Sequence, residues 1–568
     1  MSKILMMVTK NGRLNYQEMM ERIAERVNPD NIKPKPTFFR RFDNGFFAVF
    51  NPNEMVTIVE NNIHTGGLVS MHDTWWKVQS EKPEGSYAII RNNGEKIEAI
   101  TDLCGSRPIW YYLDDEKFAI STSQRAIFPI IGDFKIDPLA VSWFLSAGQM
   151  GPGYSWDPRV KMMPPNSILL FDLRKWNISL NRDINTFAID TNNKFEKRLP
   201  DEIDRTFRSM NLKLHKCVVN LSGGYDSRGL LLFSRRYGQP SAMTRALKAT
   251  SDEKGTDAFV AQDLTKKLKL KHHIYLLDER EEDLPLTIDR FIKTGEGRID
   301  HVNHYMDGIY HYKDLFERGY IGIFRGEESF GNSLTPRYYN NDKDVRRVMG
   351  ALLFEDYRNI DLGSYGFIKP FWPDHLKQRP GETFPQWRDR THVEYRIPYC
   401  LSSFNCLIST YLEVISPLSS SNILKLMFKV PDVQRNDRRL WKKIIQKMSP
   451  SLCYSKKDSI PNIMELVSSD PFRRFIRNEL EKYHGGILTR EFIEKIIDET
   501  SSPPPEIKFK FIQGIRSWLN ELVPGFIKLL FHKHPGEQTM NYYRLAFRCY
   551  IIARIEEIFK EDSLLFSE

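Results

Sequence analysis

The sequence predicts an α+β domain built as an antiparallel sandwich, followed by an α/β domain with a doubly wound parallel sheet. Up to about Thr186, short alternating apolar runs such as FFAVF, YAII and SILLFDL are separated by turn residues, which is typical of two packed antiparallel sheets. Later, CVVNLSGGYDSRGLLLF and SDEKGTDAFVAQDLTKKLKLKHHIYLL combine strand-like with helix-like apolar spacing. Strand, helix and strand in that rhythm predict parallel βαβ units, whose ligands bind at the carboxyl ends of the strands.

Length and composition indicate a globular protein of two or three domains. With 568 residues the chain is too long for one core, and its hydrophobic share of 41% supplies ample material for buried cores. The formal net charge is +9, from 82 basic and 73 acidic residues that are mostly interleaved. Because nucleic-acid binding needs a clustered basic face, this balance disfavours a nucleic-acid partner.

The cysteines and the apolar runs bear on the compartment. No two of the six cysteines have the short spacing of zinc or redox pairs, which predicts reduced structural thiols. The N-terminal run KILMMV is too short for a secretory segment, and no later run approaches the length of a bilayer span. We therefore expect a soluble, cytoplasmic protein with no membrane partner. The cysteines are Cys104, Cys217, Cys400, Cys406, Cys453 and Cys549.

The stretch CVVNLSGGYDSRGLLLF is the strongest functional signal in the chain. Gly223 and Gly224 break an apolar run, and helical spacing resumes from Ser227, which predicts a strand, a tight turn and a helix. Unpaired backbone N–H groups at the start of such a helix favour an anion. No Lys follows the second Gly as in a Walker A loop. Instead Asp226 lies beside the cradle, and its carboxylate repels a phosphate unless Mg²⁺ lies between them, so the loop predicts a nucleotide bound with Mg²⁺.

The Ser-Gly-Gly-x-Asp-Ser pattern resembles the pyrophosphate loop of the N-type ATP pyrophosphatases, a group that includes the asparagine synthetase family, β-lactam synthetases and lasso-peptide cyclases. In those proteins the loop holds the pyrophosphate leaving group while a substrate oxygen attacks the α-phosphate of ATP. The resemblance therefore implies ATP and Mg²⁺ as cofactors. Arg228, directly after the motif, also occurs in lasso-cyclase-like members. The implied ATP- and pyrophosphate-binding residues are Leu221, Ser222, Gly223, Gly224, Asp226 and Ser227.

The N-terminal region resembles the glutaminase-like (Ntn) domain that precedes the synthetase domain in the asparagine synthetase family. The segments GSYAII, TDLCGSRPIWYY, KFAISTSQRAI and MPPNSILLFD follow the family's order. Glutamine-using members carry a nucleophilic cysteine directly after the initiator Met, whereas this chain has Ser2. The resemblance therefore implies a degenerate domain in which Gly105, Arg107 and Pro108 are structural and no glutamine is hydrolysed.

A second acidic segment, YIGIFRGEESFGNS, resembles the family motif Gly-Glu-Gly-Ala-Asp-Glu-Leu-Phe-Gly. Aligned on the Phe-Gly pair, Glu327 matches the metal-binding Asp, and Glu328 matches the Glu after it. Glu327 would thus complete a Mg²⁺ site with Asp226. The family's general base falls on Phe324, which cannot accept a proton, so a base must come from elsewhere. Four residues are candidates, each also compatible with an ordinary structural or solvated role: Glu355, Asp356, His301 and His304.

Further along the chain, HVEYRIP and YLEVISPL resemble the family's Val-Glu-x-Arg-x-Pro-Phe-Leu stretch, and RNDRRLWKKII follows as a helix. Family members place an essential Lys after this helix, where it stabilises charge in the adenylation transition state. Alignment on the Ile-Pro pair that follows assigns this catalytic role to Lys457, with Lys456 one position away. His272 and His273 lie on opposite faces of a predicted strand, which favours structural roles over a metal pair.

The resemblance fades beyond about Asp470. We expect three domains: a glutaminase-like domain over residues 1–190, a synthetase domain over 195–480 and a helical extension over 481–568. In the extension, MNYYRLAFRCYIIARIEEIFKE has an amphipathic helical pattern. This pattern is compatible with core packing or with a partner helix, supplied by a partner protein or a homodimer.

Together these residues favour an ATP-dependent amide ligase. A substrate carboxylate attacks the α-phosphate, pyrophosphate leaves, and an amine attacks the acyl-adenylate. The amine is expected in the same small-molecule or peptide substrate, as in β-lactam synthetases and lasso-peptide cyclases, or is delivered free. Three alternatives stay open: an asparagine synthetase using ammonia or glutamine, a tRNA-modifying adenylating enzyme, and a non-catalytic ATP-binding member of the family.

Overall fold

The structure is a computed structural model that describes residues 2–10, 16–70, 74–191, 194–210, 212–278, 283–302, 309–327, 330, 342–449, 453–460, 466–483, 485–501 and 538–566. Within these residues the strands form two antiparallel sheets and one parallel sheet. His304 and Glu328, both singled out by the sequence, lie outside the described residues.

The N-terminal strands pair antiparallel in two six-stranded sheets, as the alternating apolar runs predict. The first sheet has the order β10 (Lys161–Met162), β8 (Trp110–Leu113), β9 (Lys117–Ser121), β1 (Lys3–Thr9), β3 (Gly45–Phe50) and β2 (Phe38–Phe42). The second has the order β12 (Asn177–Arg182), β11 (Ser167–Asp172), β7 (Lys96–Thr101), β6 (Glu84–Asn92), β5 (Asn62–Ser70) and β4 (Val56–Val59).

The two antiparallel sheets pack face to face. Alternate residues of β1, such as Ile4 and Met6, share one buried cluster with Leu169 of the second sheet. The rings of Phe118 and Phe171, one from each sheet, stack with centroids 4.1 Å apart. Residues on the other face of β1, such as Leu5, belong to a second core that also contains the helices. Period-two alternation thus gives each sheet face its own core.

The later strands form a five-stranded sheet in which every pair is parallel. Its order is β15 (His272–Leu276), β14 (Ser241–Ala246), β13 (Cys217–Asn220), β16 (Gly322–Phe324) and β17 (Glu413–Ile415). From β13 the chain proceeds outward to β14 and β15, then returns to β16 on the other side of β13. The connections therefore reverse direction between β13 and β16.

Helices surround and connect these sheets. The described helices of seven or more residues are Tyr16–Val27, Pro138–Ala147, Phe195–Ser209, Tyr225–Ser234, Asp257–Leu268, Leu284–Gly295, Tyr310–Glu317, Asp342–Met349, Phe384–Thr391, the π-helix His392–Leu401, Ser402–Ser409, Ser421–Met427, Arg439–Met448, Asp470–Glu481, Arg490–Thr500 and Tyr542–Ser563. Shorter α-helical turns are Phe128–Ile131, Lys248–Ser251 and Asp432–Arg435. Among the described residues, none of the helices has both the length and the apolar character that crossing a bilayer requires.

The C-terminal helix Tyr542–Ser563 is buried on nearly all sides. It packs against the helices Asp470–Glu481 and Arg490–Thr500, and its Phe559 lies 4.5 Å from the ring of Phe128. Glu557 and Lys560 are exposed and form a narrow solvated face, whereas Asp562 is buried and its carboxylate accepts hydrogen bonds from Arg125 at 2.7 and 2.9 Å. The helix therefore packs into the core of the chain, and an additional partner protein or homodimer stays a prediction.

Candidate functional site

The glycine loop lies at the reversal point of the parallel sheet. Strand β13 is followed by residues 221–224 and then by the helix Tyr225–Ser234, as the sequence predicts. The segment after β16 lies beside it, because β13 and β16 are neighbours. In open parallel sheets the crevice at such a reversal is where ligands bind.

Hydroxyl groups within the loop fix its backbone. The Ser222 N–H donates to Ser227 Oγ at 3.1 Å, and the Gly224 N–H donates to Ser222 Oγ at 3.2 Å. The Gly223 N–H donates to the Asp257 carboxylate at 2.9 Å. Gly224 is the N-cap of the following helix and, as a glycine, supplies no capping side chain of its own. The positive end of the helix dipole therefore faces the loop without a capping oxygen from the N-cap residue.

Two glycines are required by close contacts around the loop. A Cβ at Gly223 would lie 2.3 Å from the Cβ of Ser455, and a Cβ at Gly326 would lie 2.5 Å from the Cβ of Asp226. Carbon atoms that are not bonded cannot approach so closely, so no larger residue fits either position. The loop therefore touches both the segment after β16 and the segment that carries the two lysines.

Asp226 lies in the first turn of the helix and pairs with Arg438, whose Nη1 is 2.9 Å from Asp226 Oδ2. Arg438 and its neighbour Asp437 both have left-handed backbones, with φ values of 54° and 56°. Two consecutive non-glycine residues in this region cost about 1–3 kcal/mol each and often lie at functional sites. Sequence reasoning missed Arg438, because RNDRRLWKKII was interpreted only as a helix.

The Glu327 carboxylate, the second predicted metal ligand, is directed into the interior. Its Oε1 accepts hydrogen bonds from Asn405 Nδ2 at 3.0 Å and Ser416 Oγ at 3.4 Å, and Arg325 Nε lies 3.4 Å away. The side chain is only 1% exposed, and its Oε2 is buried with no hydrogen-bond partner in the described structure. A buried carboxylate oxygen in that state is stabilised by a cation.

These residues fit a magnesium nucleotide. Mg²⁺ takes one or two carboxylates together with phosphate oxygens, and Glu327 offers a buried oxygen near the segment that contacts Asp226. Asp226 and Glu327 have different protein partners, Arg438 and Asn405. Their sharing of one ion stays a prediction, as does the binding of phosphate by the loop.

The two predicted catalytic lysines lie in a segment that borders the loop. The Ser455 N–H donates to the Gly223 carbonyl at 3.2 Å, and the N–H groups of Lys456 and Lys457 donate to the Gly255 carbonyl at 2.8 and 3.2 Å. Both lysine side chains are exposed, and Lys457 Nζ pairs with Glu253 at the surface. The backbone of the segment is therefore fixed next to the loop, whereas a catalytic role for either ammonium group stays a prediction.

Arg228 connects the loop helix to this segment. Its guanidinium lies 3.8 Å from the centroid of the Tyr454 ring and donates to the Cys453 carbonyl. Tyr454 in turn stacks on Tyr225, with centroids 4.0 Å apart. The residue is fully buried, and burial lowers the pKa of its guanidinium. Arg228 thus has a positioning role that the motif alone did not indicate.

Phe324, at the position of the family's base, and the candidate bases within the described residues differ in burial and in their charged neighbours. Phe324 is fully buried and packs near Phe207, so its side chain is part of the core. Asp356 is buried and accepts from Arg346 Nη1 at 2.7 Å, whereas Glu355 lies partly exposed, 3.7 Å from Lys369. His301 faces a cavity, and burial together with nearby Arg544 lowers its pKa.

The two adjacent histidines make separate contacts with neighbouring hydroxyls. His272 contacts Thr265 Oγ1 and Thr244 Oγ1, both at 2.9 Å, and His273 Nε2 contacts the Tyr320 hydroxyl at 2.9 Å. Burial, with a smaller contribution from neighbouring His273, lowers the pKa of His272 to about 4. A neutral ring that bonds hydroxyls on two elements is structural, as the sequence indicates.

Ser2, at the position of the family's nucleophile, is fully buried. Its Oγ donates to the Asn51 carbonyl at 3.0 Å and accepts from the Asn53 N–H at 3.0 Å. Arg107 of the same region is also buried and pairs with Glu413 of β17. Ser2 and Arg107 therefore have structural contacts in this region.

Comparisons with known proteins leave the family undetermined. No protein-family model matches the chain, and no curated protein matches it either. Among solved structures, an allosteric regulatory enzyme of purine biosynthesis shares 10% identity over 49% of this chain and 80% of its own, with a TM-score of 0.21. The glutamine phosphoribosylpyrophosphate amidotransferase from B. subtilis, complexed with ADP and GMP, shares 7% identity over 50% of this chain and 94% of its own, also with a TM-score of 0.21. Similarity this low bears on neither fold nor function.

Proposed function

We propose that the protein is an ATP-dependent ligase that adenylates a substrate carboxylate and forms a carbon–nitrogen bond with an amine. The observation that carries this proposal is the meeting of three segments at the reversal point of the parallel sheet. The loop around Gly223 contacts the lysine segment through Ser455, and Asp226 contacts the segment after β16 through Gly326. These are the segments that the resemblance to the asparagine synthetase family assigns to pyrophosphate, Mg²⁺ and transition-state charge.

The reaction balances as two displacements. The substrate carboxylate attacks the α-phosphate, the bond between the α- and β-phosphates breaks, and pyrophosphate leaves; the amine then attacks the acyl carbon and releases AMP. When bound, Mg²⁺ would shield the phosphate charge from the carboxylates of Asp226 and Glu327. The loop N–H groups and Lys457 would bind the leaving group and the developing charge. Arg438 adds a guanidinium beside Asp226.

The amine is proposed to come from the substrate or from free ammonia. Ser2 is sealed by two hydrogen bonds to backbone groups, so its hydroxyl is held in the core and not presented to glutamine. This favours intramolecular ring closure, as in β-lactam synthetases and lasso-peptide cyclases, over a glutamine-dependent asparagine synthetase.

A non-catalytic ATP-binding role is the second candidate. The observation in its favour is Phe324, which is buried in the core at the position where the family has a base. Such a protein would bind ATP and Mg²⁺ without activating a carboxylate.

ATP–pyrophosphate exchange separates the two candidates. The purified chain is incubated with ATP, Mg²⁺, labelled pyrophosphate and a panel of amino acids, amino dicarboxylates and acidic peptides. The ligase predicts label in ATP that depends on one class of carboxylate. Binding of ATP with no exchange for any carboxylate supports the non-catalytic role and contradicts the ligase.

A further inference from the structure

A cavity of about 440 Å³ lies between the parallel sheet, the end of the helix Pro138–Ala147 and the C-terminal helix Tyr542–Ser563. Its lining combines the main sheet with helical segments from both ends of the chain. Six arginines line it: Arg245, Arg325, Arg347, Arg396, Arg544 and Arg548.

The lining is strongly cationic. Besides the arginines it contains His301, and none of the described lining residues is Asp or Glu. Five of the six arginines are only partly buried, while Arg548 is buried. Each guanidinium carries five N–H donors, so an arginine that pairs with a protein carboxylate can also donate to an anion in the cavity.

Carboxylates outside the cavity lining pair with several of its arginines. Asp300 is fully buried and accepts hydrogen bonds from Arg544 at 2.8 and 2.9 Å and from Arg548 at 2.7 Å. Burial opposes ionisation of Asp300, but the two arginines and His301 outweigh it and hold its pKa well below the ordinary value. Glu327 lies 3.4 Å from Arg325, and Asp344 lies 3.5 Å from Arg347. These carboxylates fix the guanidiniums in place, and one of them serves two arginines.

The chemistry of the lining selects the ligand class. Arg is a planar donor that binds carboxylate or phosphate through two parallel hydrogen bonds, whereas Lys acts as a point charge. No Lys is among the described lining residues. A lining of arginines therefore favours a ligand that carries several carboxylate or phosphate groups over a ligand that carries only one.

The cavity adjoins the proposed reaction site. Arg325 directly follows β16 and precedes Gly326, where an added Cβ would lie 2.5 Å from the Cβ of Asp226. Arg245 lies near the carboxyl end of β14, the neighbour of β13 on the other side. A ligand in the cavity therefore approaches the same edge of the sheet as the glycine loop.

We infer that this cavity binds a ligand with at least two anionic groups, carboxylates or phosphates, one of which is presented to the glycine loop. This inference adds a substrate class to the proposed function. It rests on the proposed function in one respect, because it identifies the anionic group at the glycine loop as the carboxylate to be adenylated. The remaining anionic group would be held by Arg347, Arg396 and Arg544. A substrate with a single carboxylate and no second anionic group is expected to bind more weakly.

Titration calorimetry without ATP tests this assignment. Citrate and acetate are compared at fixed ionic strength, and wild-type protein is expected to bind citrate at least about tenfold more tightly, because each added charge-assisted contact contributes about that factor. The double variant Arg347→Gln/Arg396→Gln should weaken citrate binding about 100-fold at about tenfold per guanidinium. Equal affinities for citrate and acetate, together with no phosphate binding that the double variant loses, would overturn the inference. A selective citrate affinity that is unchanged in the double variant would also overturn it.

Two control variants and a separate phosphate arm complete the experiment. Arg474→Gln/Arg490→Gln, at side chains 77% and 89% exposed, removes the same charge elsewhere and should leave citrate binding unchanged. Arg347→Lys keeps the charge, tests the planar geometry if the double variant fails to fold, and should weaken citrate binding several-fold; unchanged affinity contradicts the inference. In a separate arm, inorganic phosphate whose binding is lost in the double variant identifies the ligand groups as phosphates.

The two proposals fail separately. Because the titration uses no nucleotide, absence of ATP–pyrophosphate exchange contradicts the ligase and leaves the cavity assignment intact. Absence of selective citrate or phosphate binding contradicts the cavity assignment and leaves the ligase intact.

Discussion

The antiparallel sandwich and the parallel sheet differ in how they hold polar side chains. In the sandwich, Ser2 is sealed in the core by backbone hydrogen bonds. In the parallel sheet, the segments after β13 and β16 carry Asp226 and Arg325, which are partly exposed and face other charged groups. The hydroxyl of Ser2 is thus satisfied within the core, whereas charged side chains at the carboxyl edge of the parallel strands remain accessible to solvent.

The two regions meet through ion pairs of two kinds. Arg107 of the N-terminal region and Glu413 of β17 form a pair in which both side chains are buried. Glu54 pairs with Lys213 and Lys216 at the surface, where its side chain is 36% exposed. Burial decides how much each pair contributes to the contact between the regions.

The largest expected effect is the loss of the buried pair. Replacing Glu413 by Ala leaves Arg107 charged and buried, which is expected to lower the free energy of unfolding by about 3–5 kcal/mol. Denaturant unfolding measures the change. The control Glu317→Ala, at a carboxylate 52% exposed, should change stability by less than about 0.5 kcal/mol. Equal effects of the two variants would show that the regions do not depend on this contact.

The largest effect on activity is expected at Asp226. Asp226→Asn keeps the size of the side chain but removes the charge proposed to hold Mg²⁺, so the rate of ATP–pyrophosphate exchange should fall at least about 100-fold. Asp263→Asn, on the neighbouring helix with a side chain 40% exposed, is the control and should retain full activity. Full exchange by Asp226→Asn would remove Asp226 from the metal site.

A smaller effect is expected at Arg438. If this guanidinium acts on the phosphates beside Asp226, Arg438→Gln should slow exchange by about tenfold, the size of one charge-assisted contact. Arg439→Gln is the matched control, because Arg439 is adjacent but exposed. Equal exchange rates for the two variants would show that Arg438 does not act on the phosphates and only pairs with Asp226.

In the sandwich, Ser2→Ala should change stability and not chemistry. The variant leaves the Asn53 N–H and the Asn51 carbonyl without their hydroxyl partner, which is expected to cost about 1–2 kcal/mol of unfolding free energy. Exchange rates should match the wild type. A loss of exchange in a folded Ser2→Ala protein would instead place chemistry in the sandwich.

The smallest effect is expected at Glu54. Hydrogen bonds from Lys216 and Lys213 lower the pKa of Glu54 from 4.5 to about 2. A lowered carboxyl pKa stabilises the fold above the unfolded value of 4.5, and this contribution is lost as the pH falls toward 2. Because the pair is solvated, Glu54→Gln should cost less than about 1 kcal/mol at pH 7 and only a small part of that at pH 2, measured by unfolding at both pH values. An effect as large as that of Glu413→Ala would contradict the comparison.

Local pattern predicted the elements that carry the site. The glycines after CVVN, the helical spacing after Ser227 and the acids after YIGIF all depend on near neighbours, and the structure has a strand, a turn and a helix at the loop and a strand before RGEE. The expected parallel pairing of β13, β14 and β15 also follows from the strand–helix–strand rhythm.

The features that the sequence did not predict depend on contacts between residues that are distant along the chain. Arg438 reaches Asp226 through a left-handed turn that nothing in RNDRRLWKKII signals. The arginine cavity needs Arg544 from the end of the chain beside Arg325 of the sheet. Likewise Glu327 turns inward because Asn405 donates to it, a packing relationship that periodicity does not encode.

The most direct test of the central claim follows an oxygen atom. With a carboxylate that supports exchange, labelled with ¹⁸O, the chain is allowed to complete the ligation with ATP and the amine, and the AMP is examined by mass spectrometry. Attack of the carboxylate on the α-phosphate at the edge of the parallel sheet predicts one ¹⁸O in AMP, and none with Asp226→Asn. Release of ADP, or AMP without the label, would contradict adenylation by this protein.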